Sequence, residues 1–157
     1  MTTPPGYQSG DSVRARLLGM TQFTPQARAL GIELTRLEPP KLWGRVPYRA
    51  DLIGDPDTGV IAGGVITTLL DHICGVAAAS TLKEPSPVAT IDIRIDYMRP
   101  AQPGRDVIAE AQCYKAGRSV AFVRAVAYED SPDNPIAHAA AAFMINAARN
   151  GKGEAKK

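Results

Sequence analysis

Residues 59–81 read GVIAGGVITTLLDHICGVAAAST, and this run decides the fold. It holds no proline, and wound as a helix it is apolar on nearly every side. A helix of that kind must be enclosed by the rest of a globular protein. We therefore predict one buried central helix that begins at Gly63-Gly64 and ends near Thr81. Asp71 and His72 interrupt its centre, and because a charge there is costly in lipid, no membrane span is expected.

Residues 88–101, VATIDIRIDYMRPA, follow with a period of two. Such alternation predicts a strand whose successive side chains point to opposite faces. One predicted face carries Ile91, Ile93, Ile95 and Tyr97, and the other carries Thr90, Asp92, Arg94 and Asp96.

The remaining elements surround this pair. Short helices are predicted over residues 12–20 and 25–30, the second with Thr24 as its N-cap and Gly31 just past its end. Residues 50–61 are rich in Asp, Gly and Pro and predict a loop. Short connections between successive strands imply an antiparallel sheet, so we expect an α+β fold in which that sheet wraps around the central helix. The other predicted strands are residues 32–37, 42–48, 106–115, 119–129 and 136–146.

The 157 residues carry a formal net charge of +2 and suit one domain, predicted over residues 11–147. Residues 1–10 are expected to be disordered, and residues 148–157 form a flexible charged tail that holds the basic excess. Without a basic patch on the body of the fold, no nucleic-acid partner is expected. The chain begins without a signal-peptide pattern, and Cys74 and Cys113 lie in apolar segments, so we expect a cytoplasmic protein with reduced thiols. Its two histidines and two cysteines form no cluster with metal-ligand spacing, so neither a metal nor a cofactor is expected.

Asp71 is the residue that packing alone does not explain. An unpaired carboxylate inside a buried helix costs several kcal/mol, and such cost often marks a functional site. The alternatives are a buried ion pair with Arg94 or Arg99, or a carboxylate that merely reaches the helix surface.

Gly63 and Gly64 open the same helix without side chains. The first free N–H groups of a helix point outward at the positive end of its dipole, which suits an anion or an oxyanion. The alternatives are close helix–strand packing or a tight turn.

Asp71 and the glycine pair of the same helix cannot both act on one reacting group. Gly63 and Asp71 are separated by about 12 Å along the helix axis, at 1.5 Å per residue. An acid or base and an oxyanion donor must each lie within about 3 Å of the group they act on. If both residues are functional, the sequence predicts an obligate dimer with composite sites at its interface.

The two segments together resemble the hot-dog fold thioesterases of the phenylacetate-pathway (PaaI-like) type. That family typically reads G-x-x-H-G-G followed by an aspartate in the helix, and then a V-D-x-x-I-x-Y-x-R-P-A strand. The resemblance covers residues 30–147 and implies a hot-dog fold and hydrolysis of an acyl-CoA thioester. It also implies a homo-oligomer that is at least a dimer, and a homotetramer that is built as a dimer of dimers.

The resemblance also implies roles for single residues. Asp71 falls on the catalytic carboxylate, which acts as nucleophile or as general base. Gly63 falls on the glycine whose N–H polarises the thioester carbonyl, with Gly64 beside it in the substrate site, and Thr90 falls where relatives carry Ser or Thr near the carboxylate. On strict alternation Thr90 reaches the site only if the strand bulges or the site lies on that face. The cations expected to contact the phosphates of CoA are Arg99, Arg118 and Lys115; solvated turn charges are the alternative for each.

This sequence departs from the family pattern before the glycine pair. Ala62 stands where the family usually has His, and Pro56, flanked by Asp55 and Asp57, stands where an Asn is frequent. Loss of the His leaves a non-catalytic acyl-CoA sensor or carrier as the alternative function. A hydratase needs a catalytic His beside an acid, and neither His72 nor His138 has the expected context.

Overall fold

The computed structural model describes residues 24–82 and 86–145, and also Ala15, Leu17 and Gly19, which are helical. These three positions agree with the helix predicted over residues 12–20. The rest of that helix and the predicted terminal segments, residues 1–10 and 148–157, lie outside the described residues.

One helix and one large sheet form the body of the protein. In chain order the elements are α1 (Pro25–Leu30), β1 (Glu33–Glu38), β2 (Lys41–Val46), a 3₁₀ turn (Ala50–Leu52), β3 (Ile53–Asp55), β4 (Val60–Ile61), α2 (Gly63–Ser80), β5 (Val88–Tyr97), β6 (Val107–Ala116), β7 (Val120–Tyr128) and β8 (Ala137–Ile145). Six strands form an antiparallel sheet in the order β1-β2-β6-β7-β8-β5, and β3 pairs separately with β4. The predicted α+β architecture is therefore confirmed, with β1 and β5 as the sheet edges.

The sheet curves around α2 because its inner face is lined with small side chains. Methyl groups let a helix approach a sheet backbone closely, and α2 packs against β2, β5, β6, β7 and β8. On β2, Gly44 serves the same purpose, since a side chain there would run into Ile73 of α2 and lie 2.9 Å from the carbonyl oxygen of Glu33. The buried alanines of the three central strands are Ala109, Ala111, Ala121, Ala125, Ala127, Ala137, Ala139 and Ala141.

Burial also explains why α2 is so apolar. Among the described helices, α2 is the one long and apolar enough to cross a membrane, but 61% of it is buried inside the protein. Its buried residues include Leu69, Leu70, Ile73 and Cys74, which are fully enclosed. Enclosure by the sheet therefore accounts for the apolar composition of α2.

The structure confirms one local prediction in part and corrects two. Thr24 occupies the N-cap position of α1, but its side chain makes no capping hydrogen bond; Gly31 ends the helix with φ of 71°, which glycine adopts without strain. Residues 50–61 are not simply a loop, because β3 and β4 form a small hairpin within them. Pro47 lies within the predicted strand of residues 42–48, where a proline would favour an edge or a bulge; β2 instead ends before Pro47 and lies inside the sheet.

Candidate active site

Asp71 and Thr90 meet beside the middle of α2. The Thr90 hydroxyl donates a hydrogen bond to Oδ1 of Asp71 over 2.8 Å. Asp71 is half-buried, and the described part of the chain provides no hydrogen bond to its Oδ2. One carboxylate oxygen is thus held in place while the other is free to contact a reactant.

A β-bulge brings Thr90 to this position. The pairing of β5 with β8 shifts between Thr90 and Asp92, so that Thr90 pairs with Phe143 and Asp92 with Ala142. Directly paired residues share a face of the sheet, and buried Phe143 marks the face that meets α2. The strict alternation predicted across residues 88–97 is therefore wrong at Ile91, and Thr90 lies on the helix side while Asp92 lies on the outer side.

A cavity of about 340 Å³ opens next to the carboxylate. Asp71, His72 and Thr90 supply its polar wall, and apolar residues supply much of the rest. Gly75, one helical turn after Asp71, adds no side chain, so the cavity continues along α2. The lining residues are Thr24, Asp71, His72, Gly75, Val76, Val88, Thr90 and Phe143.

Neither arginine considered as a partner for Asp71 is bonded to it. Arg94 pairs with Asp96 on the exposed face of β5, 3.0 Å apart. Arg99 pairs with Glu129, whose side chain is only 2% exposed. The ion-pair alternative for Asp71 is therefore excluded.

The first turn of α2 is open to solvent. Gly63 and Gly64 are exposed, and Ala62 at the N-cap position has no side chain able to cap the N–H groups of this turn. A Cβ added at Gly64 would meet nothing within 4 Å, and one at Gly63 would meet only the Tyr97 hydroxyl and ring at ordinary contact distances. Packing within the chain therefore does not require these glycines, so the packing alternative is disfavoured.

Comparison with known proteins places this chain in a family. The family model of the Thioesterase superfamily matches residues 58–136 of this chain. The chain is 32% identical over 136 residues to the medium/long-chain acyl-CoA thioesterase YigI of Escherichia coli, and the alignment covers 77% of this chain and 85% of YigI. The chain belongs to the thioesterase superfamily. A shorter alignment, 35% identical over 94 residues, covers 58% of this chain and 61% of the length of a Halobacterium salinarum protein.

Solved structures of similar proteins share the architecture of this thioesterase. A Pseudomonas aeruginosa protein superposes with a TM-score of 0.78 at 39% identity, over 84% of this chain and 98% of that protein. The PaaI protein of the E. coli phenylacetic acid degradation operon has the same fold, with a TM-score of 0.75 at 17% identity over 86% of this chain and 94% of PaaI. The predicted hot-dog fold and the PaaI-like resemblance are confirmed, and the protein is a thioester hydrolase.

His72 lines the cavity of the thioesterase directly beside the carboxylate. Burial lowers the pKa of its imidazole below the ordinary 6.5, although the charge of Asp71 acts in the opposite direction. At neutral pH this histidine is therefore uncharged. His138 lies elsewhere, on the outer face of β8 opposite Val126.

Arg99 has a structural role that the sequence did not reveal. Its guanidinium makes five hydrogen bonds, two to Glu129, one to Oδ1 of Asn134, and one each to the carbonyl oxygens of Asn134 and Pro100. These bonds use all five N–H donors of the group. This geometry argues against the phosphate-binding role expected for Arg99. Lys115 and Arg118 are different, because both are exposed at the turn between β6 and β7 and neither makes an ion pair with a described residue.

Ala62, which replaces the usual His, and Asp55, which flanks the Pro56 that replaces the usual Asn, both make local contacts. The Ala62 N–H donates to the carbonyl of Leu52, and the Ala62 Cα lies 2.7 Å from where a Cβ on Gly54 would be. The Asp55 carboxylate accepts hydrogen bonds from the Thr58 hydroxyl and the Asp57 N–H, and the Thr58 bond in particular lowers its pKa. Asp55 therefore shapes its own turn. Across the described residues, no group of three or more His, Cys, Asp or Glu side chains is placed to hold a metal ion.

Proposed function

We propose that this thioesterase hydrolyses acyl-CoA thioesters with Asp71 as its catalytic carboxylate. The observation that supports this most directly is the position of Asp71, which is hydrogen-bonded by Thr90 at the polar wall of a cavity and is not paired with any described cation. A half-buried carboxylate that no described cation engages is available to act as the base or nucleophile that the reaction needs.

The reaction needs only water as a second reactant, and no cofactor. As general base, Asp71 takes a proton from water while the water oxygen attacks the thioester carbonyl carbon. The carbon–sulfur bond then breaks, and the CoA thiolate leaves and takes up a proton. As nucleophile, Asp71 would first form an anhydride with the acyl group, which water then opens. Both routes use the free Oδ2, and both build negative charge on the carbonyl oxygen.

That oxyanion requires donors which the same helix cannot offer. Gly63 and Gly64 lie at the start of α2, about 12 Å and 10.5 Å along its axis from Asp71. We therefore assign the polarising N–H groups to the partner subunit, so that each site combines Asp71 and Thr90 of one protomer with the glycine pair of the other.

The free edge of β5 is where this dimer would form. In the described chain β5 pairs only with β8 and leaves a ten-residue edge unpaired. An exposed edge of this length is a template for another strand. Exposed Ile91, Tyr97 and Met98 lie along it and give the contact apolar surface.

A second contact would join two dimers into the expected tetramer. The outer face of the sheet exposes Tyr114, Phe122 and Met144, which are 56%, 40% and 40% accessible. Tyr114 and Phe122 are neighbours, with ring centroids 6.5 Å apart. Exposed apolar side chains that gather on one face are common where proteins bind each other.

The cavity suits the acyl group, and the exposed turn suits CoA. An acyl chain leaving the carbonyl beside Asp71 would pass Gly75 and lie against Val88 and Phe143. The cavity volume is at the lower end of the range for ligand pockets, about 300–1,000 Å³. Phosphates outside the cavity would meet Lys115 and Arg118 at the β6–β7 turn.

The test is release of CoA thiol from a series of acyl-CoAs. We expect Asp71→Asn to lower kcat by a factor of about 10²–10⁴, the range for loss of a general base. Asp92→Asn is the matched control, because it removes a carboxylate of the outer face of β5 and should leave the rate unchanged. Equal background rates in wild type and Asp71→Asn, with acyl-CoA binding intact in both, would instead establish the non-catalytic sensor or carrier.

A further inference from the structure

The hydroxyl of Tyr97 makes hydrogen bonds to the first turn of α2. Its hydroxyl donates to the carbonyl oxygen of Gly63 over 2.7 Å, and it lies 3.0 Å from Oγ1 of Thr67. Because the single phenolic hydrogen points to Gly63, Thr67 is the donor to Tyr97. The last residue of the edge strand is thus tied to the first turn of α2.

The carbonyl that Tyr97 holds belongs to the peptide between the two glycines. A peptide unit is planar, so fixing the C=O of Gly63 also fixes the direction of the N–H of Gly64. Adjacent glycines have more backbone freedom than any other pair, and helix ends fray. Two glycines leave the helix start accessible to a substrate, but they also leave its backbone less well ordered. The hydrogen bond from Tyr97 to Gly63 offsets that loss of order.

The same bond also changes the electronic character of that peptide. Hydrogen bonds in a chain polarise one another, so a bond donated to the Gly63 carbonyl strengthens the Gly64 N–H as a donor. The chain here runs from Thr67 to Tyr97, to Gly63 O and on through the peptide to Gly64 N–H.

We propose that Tyr97, supported by Thr67, is a positioning residue that orients and polarises the Gly63–Gly64 peptide for oxyanion stabilisation. This inference rests on the proposed function, and it adds the Gly64 N–H as a donor in its own right. Tyr97 acts through the peptide and need not touch the substrate. Its effect should therefore fall on the chemical step, because an N–H aimed at the developing oxyanion matters most in the transition state.

Tyr97→Phe removes the hydroxyl and keeps the ring. We expect kcat to fall about 10-fold with KM little changed, less than the roughly 10²–10³ typical for deleting an oxyanion donor outright. Thr67→Val should show a smaller fall in kcat, and Thr67→Ser, which keeps a hydroxyl, should restore it.

Tyr48→Phe is the matched control. Tyr48 also donates to a glycine carbonyl, that of Gly59 over 2.8 Å, but it holds the loop before α2 and not the helix itself. We expect it to lower the melting temperature about as much as Tyr97→Phe while leaving kcat unchanged. A wild-type kcat in Tyr97→Phe, or an equal loss of kcat in both variants, would overturn the proposal. Absence of thioester hydrolysis in the wild type would refute the proposed function itself, which is a separate outcome.

Discussion

The hydroxyl of Thr90 and the carboxylate of Asp71 are 2.8 Å apart although 19 residues separate them in the chain. The bulge at Ile91 makes this contact possible by turning Thr90 to the helix side of β5. Thr90 is thereby placed to orient the carboxylate through Oδ1 while Oδ2 stays available for the reaction.

Replacing this hydroxyl should slow the enzyme without unfolding it. We expect Thr90→Val to lower kcat about 10-fold, the kinetic equivalent of losing part of a hydrogen bond to a charged group, which is worth about 1.5–3 kcal/mol. Thr90→Ser should keep most of the rate. Steady-state kinetics on one acyl-CoA checks this, and a Thr90→Val enzyme as active as Thr90→Ser would contradict it.

Adding a methyl group at Gly64 should lower the activity of the enzyme without lowering its stability. Nothing in the chain lies within 4 Å of that methyl, and alanine favours a helix over glycine by up to about 1 kcal/mol. Gly64→Ala is therefore expected to match or exceed the wild-type melting temperature while losing activity, since the methyl occupies the space reserved for the partner's substrate. Thermal unfolding and kinetics measured on one preparation test both halves. A fully active, stable variant would show that this space is not used.

Two inactive variants should restore each other if sites are shared between subunits. Asp71→Asn lacks the carboxylate and Gly63→Val blocks the amide, so a mixed dimer keeps one site with Asp71 from one subunit and Gly63 from the other. We expect activity to return when the two proteins are unfolded together and refolded, and not when they are mixed without subunit exchange. Sites contained within single chains would give no recovery.

Gly75 should limit the acyl group that fits. A Cβ at this position lies 3.4 Å from the ring of Phe143 and 3.8 Å from Val88, so it fills the cavity without a severe clash. Gly75→Ala is therefore expected to fold, to favour shorter acyl chains and to lose kcat/KM selectively for longer ones. Comparable losses across a C4–C16 series of acyl-CoAs would exclude a role in chain selection.

The pair of Arg99 and Glu129 predicts a loss of stability in acid. Burial of Glu129 opposes its ionisation, but hydrogen bonds from Arg99 and the Gln102 N–H, together with the charge of Arg99, outweigh burial and lower its pKa below 4.5. A carboxyl group with a lowered pKa stabilises the fold above its unfolded pKa, and that contribution is lost as pH falls through the folded value.

The comparison that isolates this pair is unfolding of wild type and Glu129→Gln as a function of pH. At pH 7 the variant should be less stable by about 3 kcal/mol, because it leaves the partly buried guanidinium of Arg99 without a counter-charge. The difference should narrow below pH 4.5, as the wild type loses the same charge. A difference that stays constant down to about pH 3 would contradict this account.

Local pattern was sufficient to predict the central helix, most strand positions and the identity of Asp71 as the unusual residue. It was insufficient wherever a contact joins distant segments. Periodicity cannot register the bulge at Ile91, because one inserted residue looks like continued alternation. The bonds of Arg99 reach Glu129 and Asn134, 30 and 35 residues along the chain, and no local signal at Arg99 marks either. Tyr97 was assigned to an apolar face by its spacing, although its hydroxyl contacts the helix start.

The alanines under α2 act as a spacer as well as a core. The cavity is bounded by α2 on one side, through Asp71 and Gly75, and by β5 and β8 on the other, through Thr90 and Phe143. Its width therefore depends on how far the helix stands from the sheet, which methyl groups on β6, β7 and β8 determine. Replacing one buried alanine by a larger residue would move α2 away from the sheet and widen the cavity. The range of substrates would then change during evolution although no residue that contacts the substrate had been replaced.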